Sequence, residues 1–199
     1  MPDLERAQPP GCSQAFIARQ PVFDAGGAIW GHELLFRHDL SAERAVFDDA
    51  LQASLQVALN SYVSPQWGRQ GDTRIMVNYP DQAIREMAPR VLPPGLSVIK
   101  IHESCLADPE LVPLLRILKS EGHLIAVDGL TEAHPRDLPP LADILVLDMA
   151  GRSRESLLAA MAPLRGRGAT FLAKRVEDHE SLRLARDCGM TLFKGFFFQ

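Results

Sequence analysis

The sequence has few cysteines, no long apolar segment and no excess of positive charge. Its three cysteines, Cys12, Cys105 and Cys188, lie far apart and form no CxxC pair, so we expect inert thiols in a reducing compartment rather than a disulfide or a zinc site. No apolar run approaches the roughly 18 residues that span a bilayer. No basic segment followed by an apolar stretch opens the chain. We therefore expect a cytoplasmic protein that does not enter a membrane.

A formal net charge of -4 over 199 residues argues against nucleic acid as a partner. Proteins bind nucleic acids chiefly by neutralising phosphates with lysine and arginine, whereas a small anionic ligand needs only a local cluster of such residues. The sequence also lacks a P-loop, an HExxH motif and a dinucleotide-binding fingerprint. Hydrophobic residues make up 46% of the chain and charged residues 23%, which is typical of a globular domain.

The two ends of the chain differ from its middle. Residues 1–13 are rich in proline and polar residues, so we expect a disordered tail there and one domain over residues 14–199. Phe196, Phe197 and Phe198 directly follow the last predicted strand. Three consecutive aromatic side chains would expose a large apolar area unless something further packs on them. We therefore expect the chain to be the N-terminal part of a longer protein.

The first half of the domain begins with a β-hairpin pattern. Two apolar segments, 15–20 and 29–36, flank the turn cluster Asp24–Gly27. A long helix is predicted over Glu43–Tyr62, where apolar residues recur at spacings of four and three.

The second half alternates short apolar strands with amphipathic helices. The predicted strands are Arg74–Tyr79, Ser97–His102, Leu124–Asp128, Ile144–Asp148, Thr170–Lys174 and Thr191–Lys194. The clearest predicted helices are Asp108–Ser120, a helix capped by Ser153 that runs through Leu164, and one that begins near Asp178 and ends at Gly189.

This alternation predicts an α/β fold with a parallel sheet covered on its outer face. Seven or eight strands at regular spacing favour a TIM-like (β/α)8 barrel over a five-stranded doubly wound sheet. The segment Leu130–Leu141 contains three prolines, so we expect one abbreviated crossover there.

In such a barrel, functional groups collect where the parallel strands end, because the following loops converge on one mouth. The predicted strands end in an unusual number of polar residues: Glu33, Asn78, Lys100, His102, Glu103, Asp128, Asp148, Lys174 and Lys194. This concentration predicts a site at the mouth of the barrel.

Seven segments in order, preceded by an opening strand, make the sequence similar to an EAL domain. Gly31–Arg37 resembles the segment G-x-E-A-L-x-R, with leucine in place of alanine, and Phe16–Phe23 resembles the opening strand found when an EAL domain is fused to an HDOD domain. The other segments that match family strands are Val77–Asn78, Ile99–Glu103, Ala126–Gly129, Leu145–Asp148, Ala173–Glu177 and Phe193–Phe196. The resemblance implies an EAL-type barrel of a bacterial signalling protein.

For active members, the resemblance implies hydrolysis of cyclic di-GMP by two divalent ions, usually magnesium or manganese. Such a site needs several carboxylates and an amide oxygen around both ions. Four residues match metal-site positions of the family, namely Glu33, Asn78, Glu103 and Asp128, and Arg37 matches an arginine that contacts ligand phosphate. Five other positions depart from the family pattern: Lys100, Gly129, Val146, Lys174 and Lys194.

These departures predict a degenerate site with no catalytic residues, no cofactor and no metal. A lysine has no lone pair for a hard cation while it is charged, and its charge repels one. We expect Lys100 and Lys174 to pair with Glu33, Glu103 and Asp128 in place of the metals. His102 has no partner placed for nucleophilic catalysis, and Asp148 and Glu177 are expected to orient loops.

The sequence therefore favours a catalytically inactive, EAL-like regulatory module that acts through protein contacts, with a protein partner or an adjoining HDOD domain. One alternative is a metal-independent cyclic di-GMP receptor that uses Arg37 and the mouth, and a second is a weak phosphodiesterase. A homodimer is a further expectation from the resemblance. Calorimetric titration with cyclic di-GMP, with and without magnesium, separates the three functions.

Overall fold

A computed structural model describes residues 16–37, 73–130, 141–166 and 168–198. Within these ranges eight strands form one closed barrel, in which each strand pairs with the next along the chain and the last pairs with the first. The strands are β1 (Phe16–Asp24), β2 (Ile29–Arg37), β3 (Arg74–Asn78), β4 (Ser97–His102), β5 (Leu124–Asp128), β6 (Ile144–Asp148), β7 (Thr170–Lys174) and β8 (Leu192–Phe193). The predicted barrel is confirmed.

The first strand runs against all the others. Both of its ladders, to β2 and to β8, are antiparallel, whereas the remaining pairs are parallel. The Asp24 carboxylate shapes the connecting turn, because Oδ1 accepts the backbone N–H groups of Gly26 and Ala28, each at 2.9 Å. The predicted hairpin is therefore present, and both of its strands belong to the barrel wall.

Four helices and three 3-10 segments lie between the described strands, and a fourth 3-10 segment follows β8. The helices are α1 (Asp81–Arg85), α2 (Leu111–Ser120), α3 (Arg154–Met161) and α4 (His179–Asp187). The 3-10 segments are Ala88–Val91, Glu103–Ala107, Ala162–Leu164 and Phe196–Phe198. No helix in the described part of the chain is long and apolar enough to cross a bilayer.

Local chemistry explains where the helices begin and end. Ser153 caps α3 by accepting the Ser156 N–H, as predicted, and Asp178 and Ser181 form a reciprocal capping box at α4. Gly189 follows α4 with a φ of +88°, the left-handed conformation that commonly ends a helix.

Some predicted boundaries were wrong. The helix expected from Asp108 begins at Leu111, because the chain first forms the 3-10 segment Glu103–Ala107 and Asp108 caps the next turn through a bond from the Glu110 N–H. The helix expected to run through Leu164 becomes 3-10 at Ala162, next to Pro163. The strand expected over Thr191–Lys194 is reduced to Leu192–Phe193. The long helix over residues 43–62, the tail 1–13 and the crossover over residues 131–140 lie outside the described residues.

Two clusters of apolar side chains, one inside the barrel and one on its outer face, stabilise the fold. Side chains inside the barrel form one cluster, made of Val22, Met76, Val98, Ala126, Ile144, Val146, Leu172 and Leu192. A larger cluster on the outer face packs the strands against the helices, with Ile99, Ile101, Leu115, Leu118 and Val127 all fully buried. Cys105 and Cys188 are buried in this outer layer as free thiols, as predicted.

Candidate functional site

The candidate site lies one residue layer above the apolar interior of the barrel. Successive strand residues point to opposite faces, so residues two apart share a face. Val98 and Ala126 belong to the interior cluster, and Lys100 and Asp128 therefore project into the mouth. The same spacing places Asn78, Asp148, Lys174 and Lys194 above Met76, Val146, Leu172 and Leu192. The fold thus collects the predicted polar residues at one end of the barrel.

Glu33 lies at the centre of this layer and is 1% exposed. Its Oε1 accepts a hydrogen bond from Lys100 Nζ at 2.8 Å, and its Oε2 is bonded by Lys194 Nζ. Burial alone would raise the pKa of Glu33, but the two ammonium groups hold its pKa below the usual range. The carboxylate is therefore ionised and held between two lysines.

Asp128 continues the pattern on β5. Its Oδ2 is 3.0 Å from Lys100 Nζ, and its Oδ1 accepts from Lys174 Nζ at 2.6 Å. Burial opposes ionisation of this carboxyl, but Lys100 and Lys174 outweigh it and lower the pKa of Asp128 to about 2. In return, the carboxylates of Glu33 and Asp128 overcome the effect of burial on Lys100 and raise its pKa.

The chain of ion pairs ends beyond β6 and β7. Asp148 lies with Oδ2 3.8 Å from Lys174 Nζ and accepts from Arg175 Nε at 2.6 Å. We call the seven side chains that alternate in sign around the mouth the mouth network: Lys194, Glu33, Lys100, Asp128, Lys174, Asp148 and Arg175. It holds four cations and three carboxylates.

Lys194 is a buried cation of the mouth network that lies near a second cation, Lys100. It is 6% exposed, and burial together with the nearby Lys100 lowers its pKa, although Glu33 acts in the opposite direction. Glu33 is shared between two lysines, so neither cation receives its full compensation. As the pH rises, Lys194 thus loses its proton before Lys100, whose pKa is raised.

Arg175 stands where the family segment A-E-G-V-E has glycine. Its φ of +60° is in the left-handed region, which costs a residue with a side chain roughly 1–2 kcal/mol. From this position the Arg175 side chain forms an ion pair with Asp148. The backbone at Arg175 thus has a conformation typical of glycine, and the side chain of Arg175 belongs to the mouth network.

Gly129, at the position of the second aspartate, also has a left-handed backbone, with φ +88°. A Cβ at this position would lie 2.4 Å from His102 Nε2. The imidazole is held by Ser104, since His102 Nδ1 accepts the Ser104 N–H at 3.2 Å and lies 2.9 Å from Ser104 Oγ. His102 therefore caps the 3-10 segment after β4, in agreement with a structural role for this histidine.

The remaining predicted residues lie outside the mouth network. Asn78 ends β3 in register with Lys100, and Val146 is buried in the interior cluster one layer lower. Glu103 makes no ion pair with Lys100 or Lys174 among the described residues, so its expected pairing was wrong. It begins the 3-10 segment after β4, and its Oε2 is buried without a hydrogen-bond partner in that part of the chain.

The side chain of Arg37 lies outside the described residues, although its backbone ends β2 opposite Phe16. Glu177 is exposed just before α4, and its N–H donates to Ser181 Oγ at 3.2 Å. Its expected part in orienting a loop is thus limited to the start of that helix.

Arg152 is a mouth residue that the sequence did not single out. It comes from the loop between β6 and α3, and its Nη2 donates to the Leu130 carbonyl at 3.1 Å. Its Nη1 is buried and has no hydrogen-bond partner in the described part of the chain. No strand ends at Arg152, so its position relative to the mouth could be found only from the folded loop.

The donor set does not fit a centre of two divalent ions. Magnesium and manganese require oxygen ligands, and each carboxylate of the mouth network is already bonded to one or two cations. Within residues 16–37, 73–130, 141–166 and 168–198, no group of three acidic, histidine or cysteine side chains converges on a point where a metal could bind.

Comparison with known proteins identifies the fold. No protein-family model matches the sequence. The phosphodiesterase PaMucR, solved as a c-di-GMP complex, superposes with a TM-score of 0.68 at 19% identity, covering 93% of this chain and 90% of that chain. The YkuI protein of Bacillus subtilis, solved with an EAL domain in complex with c-di-GMP and calcium, also gives 0.68 at 19% identity, over 92% of this chain and 54% of that chain. The chain has the EAL-domain fold, as its sequence predicts.

A curated relative is similar over nearly the whole chain. The cyclic di-GMP phosphodiesterase CdgJ of Vibrio cholerae serotype O1 is 29% identical over 190 residues, which make up 92% of this chain and 43% of that protein. The chain spans less than half the length of the curated relatives it matches.

Proposed function

We propose that this chain is an EAL-type regulatory module that does not hydrolyse cyclic di-GMP and that acts in the cytoplasm through protein contacts. The observation that carries the proposal is the mouth network, in which Lys100 and Lys174 take up Glu33 and Asp128 as ion-pair partners. In an active site of this family these carboxylates would ligate divalent ions. Here they are bonded to ammonium groups that supply the compensating charge.

Electrostatics opposes metal entry at this mouth. Lys100 Nζ lies 2.8 Å from Glu33 and 3.0 Å from Asp128, so a cation that used both carboxylates would have to displace it. Lys100 is 8% exposed and its pKa is raised by its two carboxylates, so losing its proton at neutral pH is unfavourable. Displacement would leave a buried ammonium group without a counter-ion, which is costly.

The direct test is a hydrolysis assay with the purified chain, cyclic di-GMP and either magnesium or manganese. We expect no linear dinucleotide above the protein-free background, while the EAL region of CdgJ serves as the positive control in the same buffers. Turnover that disappears on adding chelator and on changing Glu33→Gln would overturn the proposal. A Lys100→Met variant gives a second check, because removing the inhibitory charge without adding a ligand should not restore turnover.

A metal-independent receptor for cyclic di-GMP is the second candidate, favoured by the surplus of cations in the mouth network. The ligand is a dianion, and four cations against three carboxylates leave one positive charge at the mouth. Isothermal titration in the presence of chelator tests it. Saturable heat without metal favours the receptor, and absence of heat favours a module that acts only through protein contacts.

We propose that the protein partner is an HDOD domain of the same longer protein. The reason is that Phe16–Phe23 resembles the opening strand of EAL domains that are fused to HDOD domains. Titrating the separately expressed HDOD region of the parent protein into this chain tests the proposal. We expect a saturable complex, and the absence of binding at concentrations near 100 μM, where even weak contacts of about 5 kcal/mol are detected, would contradict it.

A further inference from the structure

A cavity of about 200 Å³ opens beside the mouth network, where β5, β6 and β7 end. Its apolar floor is formed by Val146 and Leu130, and its polar lining includes Lys174 and Arg152. Asp128, Asp148 and Gly129 complete the lining. This cavity lies over the position where the family segment v-K-i-D places its lysine and this chain has Val146.

Arg152 lines the cavity, and its guanidinium carries a donor nitrogen without a hydrogen-bond partner among the described residues. One of its terminal nitrogens donates to the Leu130 carbonyl, and the other, Nη1, is buried without a partner among the described residues. A buried donor without an acceptor costs roughly 1–3 kcal/mol, and more when the group is charged. The guanidinium also makes no ion pair with a described carboxylate, so its charge is available to a ligand.

The carboxylates that line the cavity do not cancel this charge. Asp128 is bonded to Lys100 and Lys174, and Asp148 lies between Lys174 and Arg175. Adding Arg152 to the mouth network gives five cations against three carboxylates. The sum stays positive even when Glu103, which begins the next segment after β4, is counted as a fourth carboxylate.

The size of the cavity restricts the ligand. Pockets for drug-sized molecules usually measure about 300–1,000 Å³, and one water takes up about 30 Å³ of liquid. A cavity of about 200 Å³ accommodates a small anion with a few waters, and it does not enclose a cyclic dinucleotide.

We propose that this cavity binds a small tetrahedral oxyanion, with inorganic phosphate as the test ligand, through the Arg152 guanidinium and the Lys174 ammonium group and without a metal ion. Arginine presents paired N–H donors that match the oxygens of phosphate, and lysine adds a point charge. The proposal rests on the proposed function in one respect, since it requires that metal ions be absent from the mouth. The mouth, which binds cations in active family members, would then bind an anion in this chain.

The test is a titration with sodium phosphate in Tris-chloride buffer, with sodium chloride adjusted to keep the ionic strength constant. We expect saturable binding by calorimetry and a matching rise in the thermal midpoint. Arg152→Gln should weaken binding at least tenfold, and Lys174→Gln should weaken it as well. Arg152→Lys keeps the charge but not the paired donors, so it should bind with intermediate affinity.

Arg165→Gln is the control, because Arg165 also donates to one backbone carbonyl, that of Cys188, and does not line this cavity. It should bind phosphate like the unmodified chain. Absence of a saturable phosphate signal, or equal affinity in Arg152→Gln and Arg165→Gln, would overturn the anion site. Hydrolysis of cyclic di-GMP in the assay above would instead contradict the proposed function, so the two failures are distinguishable.

Discussion

The imidazole of His102 occupies the space in which a side chain at position 129 would begin. A Cβ on Gly129 would be 2.4 Å from Nε2 and 2.7 Å from Cδ2 of this ring, closer than non-bonded atoms approach. The ring is held in place by Ser104. Histidine at position 102 and glycine at position 129 are thus sterically matched.

This relationship predicts an energetic coupling between the two positions. Gly129→Ala should destabilise the chain by roughly 1–2 kcal/mol through its left-handed backbone, and by about 1 kcal/mol more through displacement of His102 from its capping bonds. In a His102→Ala background only the backbone cost should remain. A double-mutant cycle from urea unfolding measures the difference. Gly27→Ala is the control, because Gly27 has φ +85° and nothing within 4 Å of its Cβ position. Equal costs of Gly129→Ala in both backgrounds would show that the ring does not restrict this position.

The central carboxylate of the mouth network should be important for stability. Glu33→Gln leaves Lys100 and Lys194 buried without an anion on that side, and breaking a buried pair in this way costs about 3–5 kcal/mol. Glu121→Gln makes the same chemical change in a surface pair with Arg90 and should have little effect. The midpoint of denaturant unfolding gives both values. Adding Lys194→Gln to Glu33→Gln should recover part of the loss, and a further loss instead would contradict the ion-pair description.

Acid should weaken the fold through Asp128. Its pKa is lowered from 3.8 to about 2 in the folded chain, so the unfolded chain takes up this proton first as the pH falls. The stabilisation is complete above about pH 4 and is lost as the pH falls through 2, with a total on the order of 2 kcal/mol. Unfolding free energies of the unmodified chain and of Asp128→Asn, measured between pH 5 and pH 2, should converge by this amount. Parallel curves would exclude Asp128 as the source.

A close backbone contact positions Lys194. A Cβ on Gly195 would lie 2.0 Å from the Val176 carbonyl oxygen and 2.4 Å from the Val176 nitrogen, and neither backbone atom can rotate away. Gly195→Ala should therefore cost about 2 kcal/mol or more. Gly95→Ala, at a site with nothing within 4 Å, should be nearly neutral. Chemical denaturation measures the unfolding free energy of both variants. Equal losses would show that the segment after β8 shifts to accommodate the added methyl group without loss of stability.

The strands were the most predictable part of this fold. The bounds of β4, β5, β6 and β7 follow directly from the apolar runs, because strands buried on both faces are almost continuously apolar. β8 was less predictable, because the strand is limited to Leu192–Phe193 although the Lys194 N–H still donates to the Ala173 carbonyl and the Lys194 carbonyl accepts the Val176 N–H. The helix starts depend on caps and 3-10 turns such as Glu103–Ala107, which leave little periodic signal.

The site was predictable where it follows strand ends and unpredictable where it depends on loops. Lys100 lies two residues before the end of β4, and Asp128 and Lys174 end β5 and β7, so their convergence could be inferred from the fold alone. The steric match of His102 with Gly129 joins the last residue of β4 to the residue that follows β5, and it depends on the orientation of the imidazole ring. Arg152 depends likewise on the path of the loop after β6, and this path cannot be inferred from spacing.

The barrel closes where the antiparallel strand β1 pairs with β8. β1 and β8 share only two register pairs, Phe23 with Phe193 and Asp24 with Leu192, so few backbone hydrogen bonds close the cylinder there. The bond from Lys194 to Glu33 passes over β1 and connects β8 to β2. The Lys194–Glu33 ion pair therefore links β8 to β2 across a short junction, where few backbone hydrogen bonds protect the amide protons from exchange with solvent.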